Sequence, residues 1–499
     1  MNDAASALRC ARVLLPVMLL CLTVVPLMGQ TPAATGTWTT LSYSMPINPV
    51  HVALLNTGKI LVVSGSGNDP NNHNLQAALW DPKTGTITTQ KVGWDMFCNG
   101  MVVLPDGRPF IFGGTFQYDP FYGEKRTSIY DFSTNQFTDK QTMAHGRWYP
   151  TGTVLGDGRV MVFSGLDETG NTNKAVEIYN VNSGWSSQYT ASWTPPLYPR
   201  MHVLPNGTVF YSGPSTSSAI FDPSSHNWTT NVATTNYGND RTYGASVLLP
   251  LSPSDGYTPR VMIMGGGSPA TNTTEIIDLS VSHPRWQYSA PMTQGRIEMN
   301  AVILPNGKIL ALGGSVNDED SNSAGLKADL FDPQTQTFSS AGSESFARLY
   351  HSVALLLPDA SVMVAGGNPQ RGTYETHIEI YQPSYLFSAS QNGAHGIAAV
   401  RPTIIRAPQK ISYGSKFLIA TPTATGAGIS SVVLIRAGST THAFDMDQRM
   451  VELSFTTDAS GLHATAPPNG NIAPPGYYML FLVNSNGVPS VAKFIQVGS

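Results

Sequence analysis

Leu104-Pro105-Asp106-Gly107-Arg108-Pro109-Phe110-Ile111-Phe112-Gly113-Gly114 decides how this chain folds. An apolar residue leads into a Pro-Asp-Gly turn, a short apolar run follows, and a glycine pair closes it. That is the signature of a tight hairpin joining two buried strands. The same order recurs as Leu55-Asn56-Thr57-Gly58 to Gly65, Leu155-Gly156-Asp157-Gly158 to Gly165, and Leu204-Pro205-Asn206-Gly207 to Gly213. It continues as Val261 to Gly267 without the turn signature, Leu304-Pro305-Asn306-Gly307 to Gly314, and Leu357-Pro358-Asp359-Ala360 to Gly367. With the opening stretch these make seven copies, spaced by about 50 residues.

A second signal follows in each copy: Leu79-Trp80-Asp81-Pro82, Ile129-Tyr130-Asp131, Ile178-Tyr179-Asn180, Ile220-Phe221-Asp222-Pro223, Ile276-Ile277-Asp278, Leu330-Phe331-Asp332-Pro333 and Ile380-Tyr381-Gln382-Pro383. A hairpin followed by a strand ending in an aspartate turn gives four short strands per unit, and the spacing is the kelch period. The reading is all-β: a seven-bladed kelch-type β-propeller over residues 36–395. Gly36-Thr37-Trp38-Thr39-Thr40 resembles the outer piece that the last copy lacks, so it is expected to fasten the ring. From about Val400 the period stops. Short apolar segments alternate with Pro/Gly turns over residues 400–499, the rhythm of an immunoglobulin-like β-sandwich.

Composition agrees. The chain has 47 Gly and 36 Pro among 499 residues, 12% charged residues and a net charge of -4. It is turn-rich, and with no basic stretch it carries no nucleic-acid footprint. Residues 1–30 place Arg9 and Arg12 ahead of a short apolar run broken by Pro16 and Pro26, which predicts a cleaved signal peptide rather than a membrane span. The expected location is secreted or periplasmic. Cys10 and Cys21 leave with the leader, so Cys98 remains alone in an oxidising compartment: inert, paired between chains, or chemically used.

Chemistry belongs at the ring's mouth, where the approaches to the first strands converge from separate blades. Cys98 stands six residues before Leu104, and Tyr149 six before Leu155, so the thiol and a phenol occupy matching slots in neighbouring units. Other approaches read Arg241-Thr242-Tyr243, Arg296-Ile297-Glu298 and Arg348-Leu349-Tyr350-His351. An arginine two residues before a polar or aromatic group is part of blade construction, and Tyr243 reads as such a scaffold residue. One extra residue in the seventh copy lets either Tyr350 or His351 hold its slot. The polar segment Ser439 to Arg449 of the tail carries His442. A histidine delivered from there, with His351, Tyr149 and Tyr350, makes a set of two imidazoles and two phenols, which suits Cu(II).

Phe97-Cys98-Asn99-Gly100, Arg147-Trp148-Tyr149-Pro150-Thr151, Leu349-Tyr350-His351-Ser352 and Thr441-His442-Ala443-Phe444-Asp445-Met446-Asp447-Gln448-Arg449 resemble the four signature segments of the copper radical oxidases, the galactose oxidase and glyoxal oxidase group. The resemblance implies one copper per chain, held by Tyr149, Tyr350, His351 and His442. It implies a thioether joining Cys98 to Tyr149, with the radical on Tyr149 and the substrate's proton taken by Tyr350. Substrates would be a small aldehyde, as its hydrate, or a primary alcohol, with O2 reduced to hydrogen peroxide and a peroxide-consuming partner downstream. Galactose oxidase stacks a tryptophan over the crosslink; counting from Tyr149 puts Asp167 there, so Trp148 or Trp94 becomes the candidate shield. Trp148-Tyr149-Pro150 lies nearer the glyoxal oxidase side, which favours aldehydes. The competing reading is a non-catalytic kelch module that binds glycans or protein partners, for which exposed Phe116, Tyr118, Phe121 and Tyr122 would serve.

Overall fold

The computed structural model describes residues 31–388, 397–422 and 428–498, and the expected leader at 1–30 lies outside them. Residues Thr31–Ser499 form one compact unit. In it seven antiparallel sheets follow one another, and their innermost strands neighbour one another in chain order until the seventh meets the first. The second sheet shows the plan: Gly100–Val103, Pro109–Phe112, Thr127–Asp131 and Gln136–Asp139, from axis to rim. Neighbouring blades cover both faces of the inner strands, so the first two are buried at every position and their sequences run apolar without alternation. Gln136–Asp139 at the rim is mostly exposed. Gly107 closes the inner hairpin at φ 88°, where a side chain is strained. Its N–H donates to the Leu104 carbonyl, and the Asp106 carboxylate accepts from the Arg108 N–H.

The arginines before the inner strands are structural, as the sequence reading expects. Arg147, Arg241, Arg296 and Arg348 pair with Glu177, Glu275, Asp329 and Glu379 at 2.8, 2.8, 3.0 and 2.7 Å. Each acid lies on the third strand of the same blade, and each guanidinium also donates to a carbonyl at the end of the second strand. Every pair is buried and multiply hydrogen-bonded, the condition under which a buried ion pair survives.

The ring closes through the head of the chain. Thr37–Ser44 is the outer strand of the seventh sheet, paired with His377–Gln382. Trp38 stacks on Tyr381 at 4.7 Å and donates its indole N–H to the Ala341 carbonyl in the sixth blade. After the ring, the tail forms one five-stranded and one three-stranded sheet, the two layers of a sandwich.

One hairpin, Ser439–Thr441 with Phe444–Asp445, leaves the sandwich and adds itself to the inner strand of the first blade. Val52 faces Thr440 and Ala53 faces Ser439. The hairpin is locked at its base by Arg436, which pairs with Asp447 at 3.0 Å and donates to the Val103 carbonyl. The second blade returns the contact, Val103 N–H donating to the Asp447 carboxylate.

Candidate metal centre

One backbone device positions the site. Cys98, Tyr149, Tyr198, Tyr243, Glu298 and His351 each stand six residues before a turn leucine or its equivalent, and each has positive φ: 58, 68, 45, 51, 64 and 64°. Left-handed backbone is unfavourable for residues with a Cβ, so six such residues at equivalent places are strain concentrated at one end of the axis. At Cys98, Tyr149, Tyr198, Tyr243 and His351 the kink comes just before the strand begins, whereas Glu298 is the second residue of its strand, Ile297–Ile303. Neighbouring slots are also tied by main-chain bonds: Tyr149 N–H to the Cys98 carbonyl, Tyr198 N–H to Tyr149, Glu298 N–H to Tyr243. In the seventh blade His351 holds the slot and Tyr350 precedes it, which settles the choice the sequence left open.

His442 arrives by a second strained turn. Thr441 pairs with Phe444, and His442 and Ala443 between them have φ 46 and 64°. Two positive φ values make this a two-residue hairpin turn of the kind Asn-Gly normally occupies. A histidine there projects from the tip.

The imidazoles are fixed in one tautomer. Thr441 uses its only hydroxyl proton on the Val50 carbonyl, so it accepts from Nδ1–H of His442 at 2.7 Å. His351 Nδ1 donates to Asn368 Oδ1 at 2.5 Å, and Asn368 is held by its amide on the Thr373 carbonyl. Both Nε2 lone pairs are therefore free, and they converge on Cys98 Sγ at 4.0 and 3.8 Å. The ligand atoms of Cys98, His351 and His442 all lie within 4.8 Å of one another. Burial holds His351 down to about 3 and His442 well below its ordinary value, which keeps both rings neutral.

The phenols complete the ring. Tyr149 and Tyr350 bring their hydroxyls into contact, and Tyr243 Oη lies 3.3 Å from Tyr350 Oη. Tyr243, taken from sequence as scaffold, thus faces the centre. Tyr198 does so too: its ring lies 4.6 Å from Tyr149 and 4.4 Å from His442, with its hydroxyl on the Asn99 carbonyl. Burial pushes the Tyr350 hydroxyl well above the ordinary phenol value. Tyr198 was missed, although the six-residue ruler that found Tyr149 also finds it before Leu204.

This arrangement has relatives. The description "Glyoxal oxidase N-terminus" matches residues 66–385, and "Galactose oxidase-like, Early set domain" matches residues 401–497. The chain belongs to the copper radical oxidase family. Its members among characterised proteins include a galactose oxidase of Gibberella zeae, 30% identical over 91% of this chain and 69% of its own length. An aldehyde oxidase of Vitis pseudoreticulata is 29% identical over 93% of this chain and 97% of its own. A solved fungal alcohol oxidase in complex with copper superposes with a TM-score of 0.79 at 26% identity, covering 93% of this chain and 100% of that one.

In this copper radical oxidase the aromatic ring lying on Tyr149 is that of Trp148. Its ring stacks on Tyr149 at 3.7 Å and 17°, and Phe121 stacks on Trp148 at 4.2 Å. Trp94 packs in a separate cluster with Met96, Met101 and Tyr130. Asp167 is not beside the phenol: its carboxylate closes a turn by accepting from the Thr169 and Asn171 N–H groups, and its carbonyl holds Gly123. Its short polar side chain is used up by that turn, so the counted position places no ring on Tyr149. The aromatic loop proposed for glycans is largely folded inward. Arg371 lies over Tyr118 and Phe121 and pairs with Asp119, leaving Phe116 as the well exposed ring at 62%.

Proposed function

We propose that this protein oxidises small aldehydes, as their hydrates, or primary alcohols by two electrons, passing them to dioxygen to give hydrogen peroxide. The observation that carries this reading is the convergence of two free Nε2 lone pairs and two phenol oxygens beside a buried cysteine. Two neutral imidazoles with two phenols are a fitting donor set for copper, and His351, His442, Tyr149 and Tyr350 would hold it. Bound copper supplies a one-electron redox partner and a Lewis acid for the substrate oxygen.

The chain supplies the rest. Cys98 and Tyr149 form the thioether: an S–H and a ring C–H bond are lost, an S–C bond forms, and dioxygen takes the two electrons and two protons. Sulfur on the ring lowers the phenol's oxidation potential, and Trp148 covers the ring against water. With Tyr149 as its phenoxyl radical and Tyr350 as a phenolate, the states bound copper would favour, Tyr350 Oη receives the substrate's hydroxyl proton and Tyr149 Oη the hydrogen atom from carbon, and the remaining electron would pass to the metal and on to dioxygen. Both protons leave with reduced dioxygen as peroxide. Aldehydes are favoured because Trp148-Tyr149-Pro150 is glyoxal oxidase-like, and because the aldehyde oxidase relative matches over nearly its whole length. Export by residues 1–30 and a peroxide-consuming partner belong to the same reading.

The test is a peroxide-coupled screen of copper-loaded protein with glyoxal, methylglyoxal, galactose and simple alcohols, with peptide mass analysis. Peroxide from aldehydes and a Cys98–Tyr149 linked peptide lighter by a pair of hydrogens are expected. A Cys98 that remains alkylatable after copper and oxygen overturns the mechanism.

A further inference from the structure

Five of the six strained slots deliver groups that the centre uses or touches: Cys98, Tyr149, Tyr198, Tyr243 and His351. The sixth delivers Glu298. It has the same left-handed backbone, its N–H is bonded to the Tyr243 carbonyl, and its blade lies between those of Tyr243 and His351. The residue is 4% exposed, and neither carboxyl oxygen has a hydrogen-bond partner. Leaving such a group unsatisfied is costly, so a buried carboxyl at a slot whose neighbours face the centre, close enough to Tyr243 to act on its hydroxyl, points to an absent partner.

We propose that Glu298 is a specificity-determining residue, hydrogen-bonding a second oxygen of the substrate beside the carbon that is oxidised. The favoured substrates are then short bifunctional aldehydes bearing a neighbouring carbonyl or hydroxyl. The proposal rests on the oxidase function above. Burial, with Asp318 and Glu319 nearby, raises the Glu298 carboxyl to about 9. The Asp318 carboxyl and the Glu319 N–H lie close without meeting hydrogen-bond geometry. The carboxyl is neutral at physiological pH, with one O–H to donate and one C=O to accept. A neutral acid suits an uncharged hydroxyl or carbonyl, and the two acids beside it disfavour a carboxylate ligand.

The test compares Glu298→Leu and Glu298→Gln with the native enzyme, on methylglyoxal and on acetaldehyde, which lacks the second oxygen. Glu298→Leu is expected to lose about tenfold to a hundredfold in kcat/KM on methylglyoxal, the range for a substrate hydrogen bond to a buried group, chiefly through KM. Acetaldehyde should change less than about twofold, and Glu298→Gln should recover most of the loss. A binding readout runs alongside. Trifluoroacetone hydrate and methyl trifluoropyruvate hydrate are geminal diols with no C–H on the diol carbon, and only the second has the extra carbonyl. Fluorine NMR on the copper-loaded enzyme should show Glu298→Leu weakening the second alone. Equal losses for both substrates, or none, with an unchanged copper spectrum would overturn the proposal. Failure of the native enzyme to make peroxide from any aldehyde or alcohol would instead remove the oxidase function on which it rests.

Discussion

Trp148 lies between Tyr149 and Phe121, and it was legible only as one of two nearby tryptophans. What decides is the backbone of the next residue: φ 68° at Tyr149 folds its ring back against its neighbour, a geometry that no periodicity reports. Trp148→Ala should leave copper content unchanged and shorten the lifetime of the oxidised tyrosine's absorbance about fivefold to tenfold. That follows from the roughly 1 kcal/mol of aromatic stacking and the loss of water exclusion. Stopped-flow decay of the oxidised spectrum measures it. Cys98→Ser should leave the Tyr149 peptide at its unmodified mass after copper and oxygen, with peroxide formation falling in the coupled assay.

Blades were legible because their turns need Gly and Asp, and their inner strands, buried on both faces, leave apolar runs. The ion pairs inside them were half legible: the arginines recur, but Glu177, Glu275, Asp329 and Glu379 lie 30 to 34 residues away and only pairing brings them together. Arg348→Met strands Glu379 in the core and should lower stability by about 3–5 kcal/mol in chemical denaturation. Beside that pair lies Glu344, which accepts from the Gly313 N–H through one oxygen and leaves the other without a partner. Burial raises it from an ordinary 4.5 to about 8. The folded blade therefore holds a proton that the unfolded chain releases, and stability is lost as pH rises from about 4.5 through 8. Glu344→Gln keeps the neutral shape and cannot titrate. Its melting temperature relative to native should climb across that window and level off above it; a constant offset would refute the assignment.

At the scale of the molecule, ring and sandwich were readable from repeat length and its cessation, whereas the hairpin that joins them was not. Ser439 to Asp445 reads as a polar loop because its partners are backbone groups of other blades: Ser439 donates to Met101, Thr440 to Ala354 and Thr441 to Val50. The ring depends equally on Thr37–Ser44. Trp38→Ala removes the stack on Tyr381 and the bond to Ala341, and should lower the single melting transition by about 2–3 kcal/mol, seen by calorimetry. His442, at that hairpin's tip, is made only after all seven blades. A chain still under synthesis thus has Cys98 and the tyrosines of the centre but not this imidazole, which the proposed donor set requires. Order along the chain would then set the timing: the proposed donor set becomes complete only when synthesis is nearly over.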